Sequence, residues 1–374
     1  MKATAYFSAT ELERAADFRD LQRVLGIAGT ALAGLTVAAI ALRPPRPARR
    51  AIAAVARRPL LGGAAVAVGV AVTVAAVELP LSVWRHERAV DAGLSTQSLG
   101  PWLGDFAKAT AVSAVYAAIA GLLAMALIRR FPRNWWAPGA VLVVGAAAAT
   151  LYLQPVLVDP LFNRFEPLPR GELRADVMRL ADRAGVDVGE VYRVDASRRT
   201  SAINAYVGGL GHTKRVVLYD NLIDGYPRGE VRSVVAHELG HVKHRDVPRG
   251  LLWIAIVAPA ATFLIQRLAQ RLAPDLLDGR SKPGPEALPA VILAFALVAF
   301  ALGCAGNVLS RQVEARADAF ALELTDDPRS FIELERSLAI RNLGDPDPPR
   351  ILHALFGTHP TTVERIGYGV SFER

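Results

Sequence analysis

The stretch Val234-Val235-Ala236-His237-Glu238-Leu239-Gly240-His241 puts two histidines four residues apart, with a glutamate directly after the first. Pro227 suits a first helical turn, and Val231, Val235, Leu239 and Val242 recur at helical spacing, so an α-helix is predicted here. Residues i and i+4 share one face of a helix. His237 and His241 can therefore direct two imidazoles at one metal ion, and Glu238 stands where it can hold a water. That pattern supports metal-assisted hydrolysis with Glu238 as general base. The bland alternative is a polar helix face that merely contains two histidines. The chain has only seven His, which weighs against chance.

A hydrolytic zinc site takes a third protein ligand and keeps a fourth position open. A further His six residues after the second would be one route, but Val247 stands there. His244 lies seven residues from His237, about 10 Å along the axis, too far to share an ion easily, and reads as a surface or supporting residue. The best candidate is Glu314 in Ser310-Arg311-Gln312-Val313-Glu314-Ala315-Arg316-Ala317-Asp318. Glu314 and Asp318 are four apart, so one carboxylate can bind metal while the other takes the free N–H of a ligand His. Alone, Arg311, Glu314 and Asp318 would read as an ion-pair row on a solvated helix. Beside a motif that lacks its third ligand, the metal reading prevails.

These residues need elements to hold them. The chain has 374 residues, 52% of them hydrophobic, gathered in blocks of membrane-spanning length. Six spans are predicted: 25–42, 60–77, 109–128, 137–157, 251–268 and 287–309, with Pro259 expected to kink the fifth. Residues 1–23 read as an amphipathic helix opened by a Ser8–Glu11 capping box. Four spans fill 24–158, and a hairpin of two fills 250–309. The stretches 159–249 and 310–374 read as two parts of one globular domain. In the first part, 171–184 is predicted helical, and 191–194, 203–207 and 216–219 as strands, the last two joined by a Gly-rich turn. The fold class expected is a mainly α, polytopic membrane protein whose catalytic domain carries a small β-sheet. The two halves of the metal site flank a membrane hairpin, which places it at or near the membrane surface.

The net charge of +8 comes mostly from Arg in short loops. In a membrane protein that points to anionic headgroups, and no nucleic-acid motif is present. The single Cys304 excludes an intrachain disulfide and reads as a small packed hydrophobe. No cleavable signal peptide is visible. The spans carry almost no interior charge, which argues against a transporter.

The chain resembles the integral-membrane zinc proteases of the CAAX prenyl protease 1 family, and its composition suits a bacterial member. Besides the two-histidine helix, the resemblance rests on Asp159-Pro160-Leu161-Phe162-Asn163-Arg164-Phe165-Glu166-Pro167-Leu168, Asn204-Ala205-Tyr206, Arg215 through Asp220, Ser310-Arg311 through Asp318, Asn342-Leu343-Gly344 and Thr358-His359-Pro360. It implies a gluzincin-type endopeptidase with one Zn2+ per chain held by His237, His241 and Glu314, and Glu238 as base. It implies that Asp318 and Arg311 support the ligands. Asn204 and Ala205 would lie on an edge strand that pairs with extended substrate, and His359 would lie near the site, donating to the tetrahedral intermediate. Eukaryotic members have seven spans; six are counted here. The partners implied are a peptide or membrane-protein substrate, membrane-associated or CAAX-like, and the lipid bilayer. A general quality-control protease is the neighbouring reading, and a catalytically silent scaffold the reading from another class. Alternation and the resemblance put the N-terminus and catalytic domain in the cytoplasm of a cell membrane. They leave the Arg-rich loop 43–58 on the far side, against the positive-inside bias.

Overall fold

The computed structural model describes residues 2–208, 214–280 and 282–373. The chain opens with α1 (Ala9–Leu42), α2 (Arg46–Val55), α3 (Pro59–Asp91), α4 (Leu99–Arg130) and α5 (Trp136–Leu153). Next come β1 (Phe165–Pro167), α6 (Glu172–Ala184), β2 (Glu190–Val194), β3 (Ala205–Gly208), β4 (Arg215–Tyr219), α7 (Asp220–Gly225) and α8 (Arg228–Lys243). The chain then runs through α9 (Asp246–Leu272), α10 (Leu288–Thr325), α11 (Pro328–Arg341), α12 (Arg350–Phe356) and α13 (Thr362–Phe372). Six helices among the described residues are long and apolar enough to cross a membrane: α1, α3, α4, α5 with its extension to Leu161, α9 and α10 with its lead-in turn.

The six expected spans fall on these six helices, but their ends differ. The expected amphipathic segment and first span are one 34-residue helix, because no breaker separates Arg23 from Leu25. Its start carries the Ser8–Glu11 capping box. α3 runs through Pro80 to Asp91, so the expected polar connection 84–108 shrinks to a short turn. α9 likewise continues through Pro259. α3 and α4 touch backbone to backbone at a glycine pair: a Cβ on Gly121 would sit 2.5 Å from the Gly63 carbonyl oxygen. A side chain at either position would push the two helices apart.

The sheet has the order β1-β2-β4-β3. β2 and β4 are parallel, with Val191 opposite Val216, and both outer pairings are antiparallel. Strand β1 went unpredicted: three residues, one a proline, give no period-2 signal. The strand expected at 203–207 begins at Ala205, and its Gly-rich turn lies outside the described residues. Alternation then sorts the faces. Val191, Ala205, Val216 and Leu218 join Val177, Leu180, Val235 and Leu239 of α6 and α8 in one core. Val194, Val217, Tyr206 and Tyr219 pack on the other face. This core fixes α8 against the sheet and leaves the opposite side of α8 for α10.

The globular layer is tied to one end of the helical bundle. Thr200 bridges Ser95 in the α3–α4 turn, and Asp105 at the start of α4 accepts from Arg199 at 2.8 Å. Arg19 of α1 donates to the carbonyls of Asn342 and Leu343.

Candidate metal centre

α8 buries Val231, Val235 and Leu239 and turns His237 and His241 the other way. The two rings stand almost perpendicular, at 83°. α10 crosses directly opposite, and Gly240 makes the close crossing possible: a Cβ there would lie 3.3 Å from the Ala317 Cα. The close approach brings Glu314 Oε2 to 3.1 Å from His237 Nε2 and 3.7 Å from His241 Nε2, while the two Nε2 atoms are 3.2 Å apart. A tetrahedral zinc with bonds of about 2.0–2.1 Å holds its ligand atoms about 3.3 Å apart, so this triangle fits one such ion. Glu238 is beside it: ligand atoms of His237, Glu238 and His241 all lie within 4.8 Å of one another.

The other ring nitrogens are fixed from behind. His237 Nδ1 is 2.8 Å from Asp318 Oδ1, and His241 Nδ1 is 3.0 Å from Asp246 Oδ2. A carboxylate accepts and does not donate. Each Nδ1 therefore carries the hydrogen, which in the neutral imidazole leaves Nε2 free to bind a metal. Asp246 follows α8 because Arg245 takes a left-handed conformation, φ 55°, and turns the chain back. Arg316 of α10 binds the second oxygen of Asp246.

Behind Asp318 stands a chain of buried charge. Arg365 Nε and Nη2 grip both Asp318 oxygens at 2.8 and 2.5 Å, and its Nη1 reaches Glu335 Oε2 at 2.8 Å. Asp318 is wholly buried and Glu335 nearly so. Burial pushes Glu335 up to about 7, with Arg365 offsetting part of the effect. Glu238 is also raised by burial, against the pull of the two histidines.

His359 stands on the open side of the triangle, half exposed, with Nε2 3.1 Å from Glu314 Oε2. Its loop is held by Arg311. That side chain does not pair with Glu314 or Asp318; it donates to the carbonyl oxygens of His353, Ala354 and Gly357, the last at 2.7 Å. His353 in turn reaches the His359 carbonyl at 2.9 Å. His244 stays out of the triangle and packs edge-on against Phe320. Asn204 and Ala205 stand on the sheet instead. Asn204 accepts from Tyr219 N just ahead of the outer strand β3, and Ala205 is buried toward α8. The sequence thus pointed to six residues that meet at one place and three that act elsewhere. It missed Asp246, Glu335 and Arg365. Only Asp246 left a local trace, as a carboxylate just past the end of the two-histidine helix.

Residues 167–368 match the model of peptidase family M48. The chain belongs to that family. Residues 23–164 match a second model, the CAAX prenyl protease N-terminal region with five membrane helices. Four long apolar helices occupy that stretch here. The M48 protein is 32% identical over 293 residues to an uncharacterized metalloprotease, YhfN, of Bacillus subtilis, covering 78% of this chain and 69% of that one. It is 28% identical to CAAX prenyl protease 1 of Saccharomyces cerevisiae, over 78% of this chain and 68% of the relative. The crystal structure of Ste24p from S. mikatae superimposes with a TM-score of 0.82 at 20% identity, over 97% of this chain and 90% of that one, and so shares the fold. The protein is a membrane metalloprotease of the Ste24 and CAAX protease family.

Proposed function

We propose that the protein is a zinc endopeptidase of the gluzincin type, with one Zn2+ per chain held by His237, His241 and Glu314. The carrying observation is the triangle of two imidazole nitrogens and one carboxylate oxygen, each histidine backed by its own aspartate. Bound zinc supplies Lewis-acid chemistry: it acidifies water and polarises a carbonyl. Glu238 takes the proton from the attacking water and hands it to the leaving amine. His359, on the open side, donates to the oxyanion. Asp318 and Asp246 hold the ligand rings in register, and Arg311 holds the loop that carries His359. The edge strand β3, with Asn204 and Ala205 at its start, adds an extended peptide as a further strand.

The substrates this reading favours are membrane-associated or CAAX-like peptides cut near the membrane surface. The entire catalytic layer is tied to one end of the helical bundle: α8 leads through a short turn into the membrane-length α9, and α10 is itself membrane-length. We place it in a cell membrane with the catalytic domain in the cytoplasm. The test is elemental analysis of detergent-purified protein beside cleavage of a quenched peptide library. One zinc per chain is expected in wild type and Glu238→Gln, with cleavage lost in the variant, and metal lost in Glu314→Ala. Retained turnover in Glu238→Gln would overturn the assignment of the base.

A further inference from the structure

The far end of the bundle is built differently from the catalytic end. Residues 43–58 join α1 to α3 and carry Arg43, Arg46, Arg49, Arg50, Arg57 and Arg58 with no acidic residue. The end of α4 and the turn to α5, at the same end, add Arg129, Arg130 and Arg133, again with no acid. These two segments hold nine cations, one more than the net charge of the whole chain, +8.

Most of the loop is the helix α2, and its faces are sharply divided. Ala48, Ile52 and Val55 lie on one side, half buried, and Ile52 and Val55 pack into the core of the bundle end with Trp135, Leu276, Leu277 and Ala287. Arg46, Arg49 and Arg50 lie on the opposite side, at helical positions i, i+3 and i+4, and all are exposed. None of the six guanidinium groups of 43–58 has a carboxylate partner among the described residues; Arg49 reaches only the Pro44 carbonyl. The end is also stiffly built. Arg129 donates to the Pro283 carbonyl at 2.8 Å, and the buried Gln266 accepts from Trp136 N and donates to the Arg133 carbonyl. α2 begins four residues after a span ends and stops four residues before the next begins, so it sits at headgroup depth. A short amphipathic helix with Arg on its polar face, at that depth, suits the membrane interface.

We propose that α2 and its flanking arginines form a docking surface for anionic phospholipid headgroups, in the leaflet opposite the catalytic domain. Arg is suited to this because its planar fork grips phosphate in bidentate fashion. The surface gives the far-side arginines a function whichever way the protein faces: the cations answer to phosphate beside them, as well as to the insertion bias. It is distinct from the metal centre and uses none of its residues.

The test places a bimane reporter on α2, at Ala51→Cys in a Cys304→Ser background, in the full-length protein reconstituted into nanodiscs of mixed phosphatidylcholine and phosphatidylglycerol. Spin-labelled versions of the two lipids compete as quenchers. At an anionic surface each guanidinium favours contact about fivefold. Quenching by phosphatidylglycerol is therefore expected to exceed that by phosphatidylcholine at least about fivefold, and to fall several-fold as salt rises from about 0.05 to about 0.5 M. The triple variant Arg46→Gln/Arg49→Gln/Arg50→Gln, altered only at exposed positions, should bring the two lipids within about twofold of each other. A reporter at Leu35→Cys in the apolar C-terminal part of α1, 68% exposed in wild type, should show equal quenching throughout. Equal quenching at position 51 in wild type would overturn the proposal, as would a preference that survives the triple substitution or ignores salt.

Discussion

Replacing Arg365 with Met tests whether the metal site is braced from the C-terminal helix. Arg365 is mostly covered, its side chain 14% exposed, and makes three charge-assisted contacts, two to Asp318 and one to Glu335. Removing it leaves two buried carboxylates without their shared cation. Glu335 can escape by taking a proton, since burial already holds it up at about 7. Asp318 is less free to do so: a proton on Oδ2 would leave Oδ1 accepting from His237 Nδ1, but as a weaker, neutral acceptor. Breaking a buried ion pair from one side costs about 3–5 kcal/mol, and here most of that falls on Asp318. Asp318 is also what orients His237, so zinc affinity should drop about 10–100-fold. The assay is urea denaturation followed by circular dichroism in detergent micelles, paired with zinc competition against a chromophoric chelator. Arg365→Lys should recover part of the stability and little of the affinity, because an ammonium lacks the fork that holds both Asp318 oxygens. Loss of stability with unchanged zinc affinity in the Met variant would refute the bracing role. A stability within about 1 kcal/mol of wild type would refute the energetic argument itself.

Asp246→Asn should keep the fold and lower zinc affinity about tenfold by loosening His241, read by the same competition. Gly240→Val should separate α8 from α10 at their crossing and cost at least about 1–3 kcal/mol, with metal content falling together with stability. Glu335→Gln carries a pH signature. The folded pKa of Glu335 is raised, so its contribution to stability is present below the ordinary carboxylate range and is lost as pH rises through about 7. Wild type should lose stability from this group between acid and neutral pH, and the Gln variant should show a flatter profile; parallel profiles would refute it.

Much of the architecture was written in local pattern. Six apolar blocks gave six long helices because membrane length and hydropathy are properties of a contiguous stretch. The two-histidine motif was equally local. Helix ends were less legible, since a span continues into water wherever nothing breaks it, as α1 and α3 do. Glu314 and Asp318 could be paired by their spacing, but the chain Asp318–Arg365–Glu335 joins three separate helices and has no spacing to read. Arg311 shows the same limit. Its neighbours on α10 suggested ion pairs, whereas the fold sends it to three backbone carbonyls at the end of α12, more than forty residues away.

α10 has 38 residues without interruption, from the membrane to the ligand-bearing turns, a rod of about 57 Å. Leu288, Ala290 and Val291 are locked into the far end of the bundle, and Glu314 is carried near the other end of the same rod. A helix of this kind transmits tilt as displacement. When bilayer thickness departs from the hydrophobic length of the bundle, spanning helices respond by tilting. On the zinc assignment proposed above, such a tilt would be felt at a carboxylate oxygen 3.1 Å from its histidine partner. The ligand-bearing turn and the membrane-packed end are thus parts of one lever, with no joint between them to absorb such a tilt.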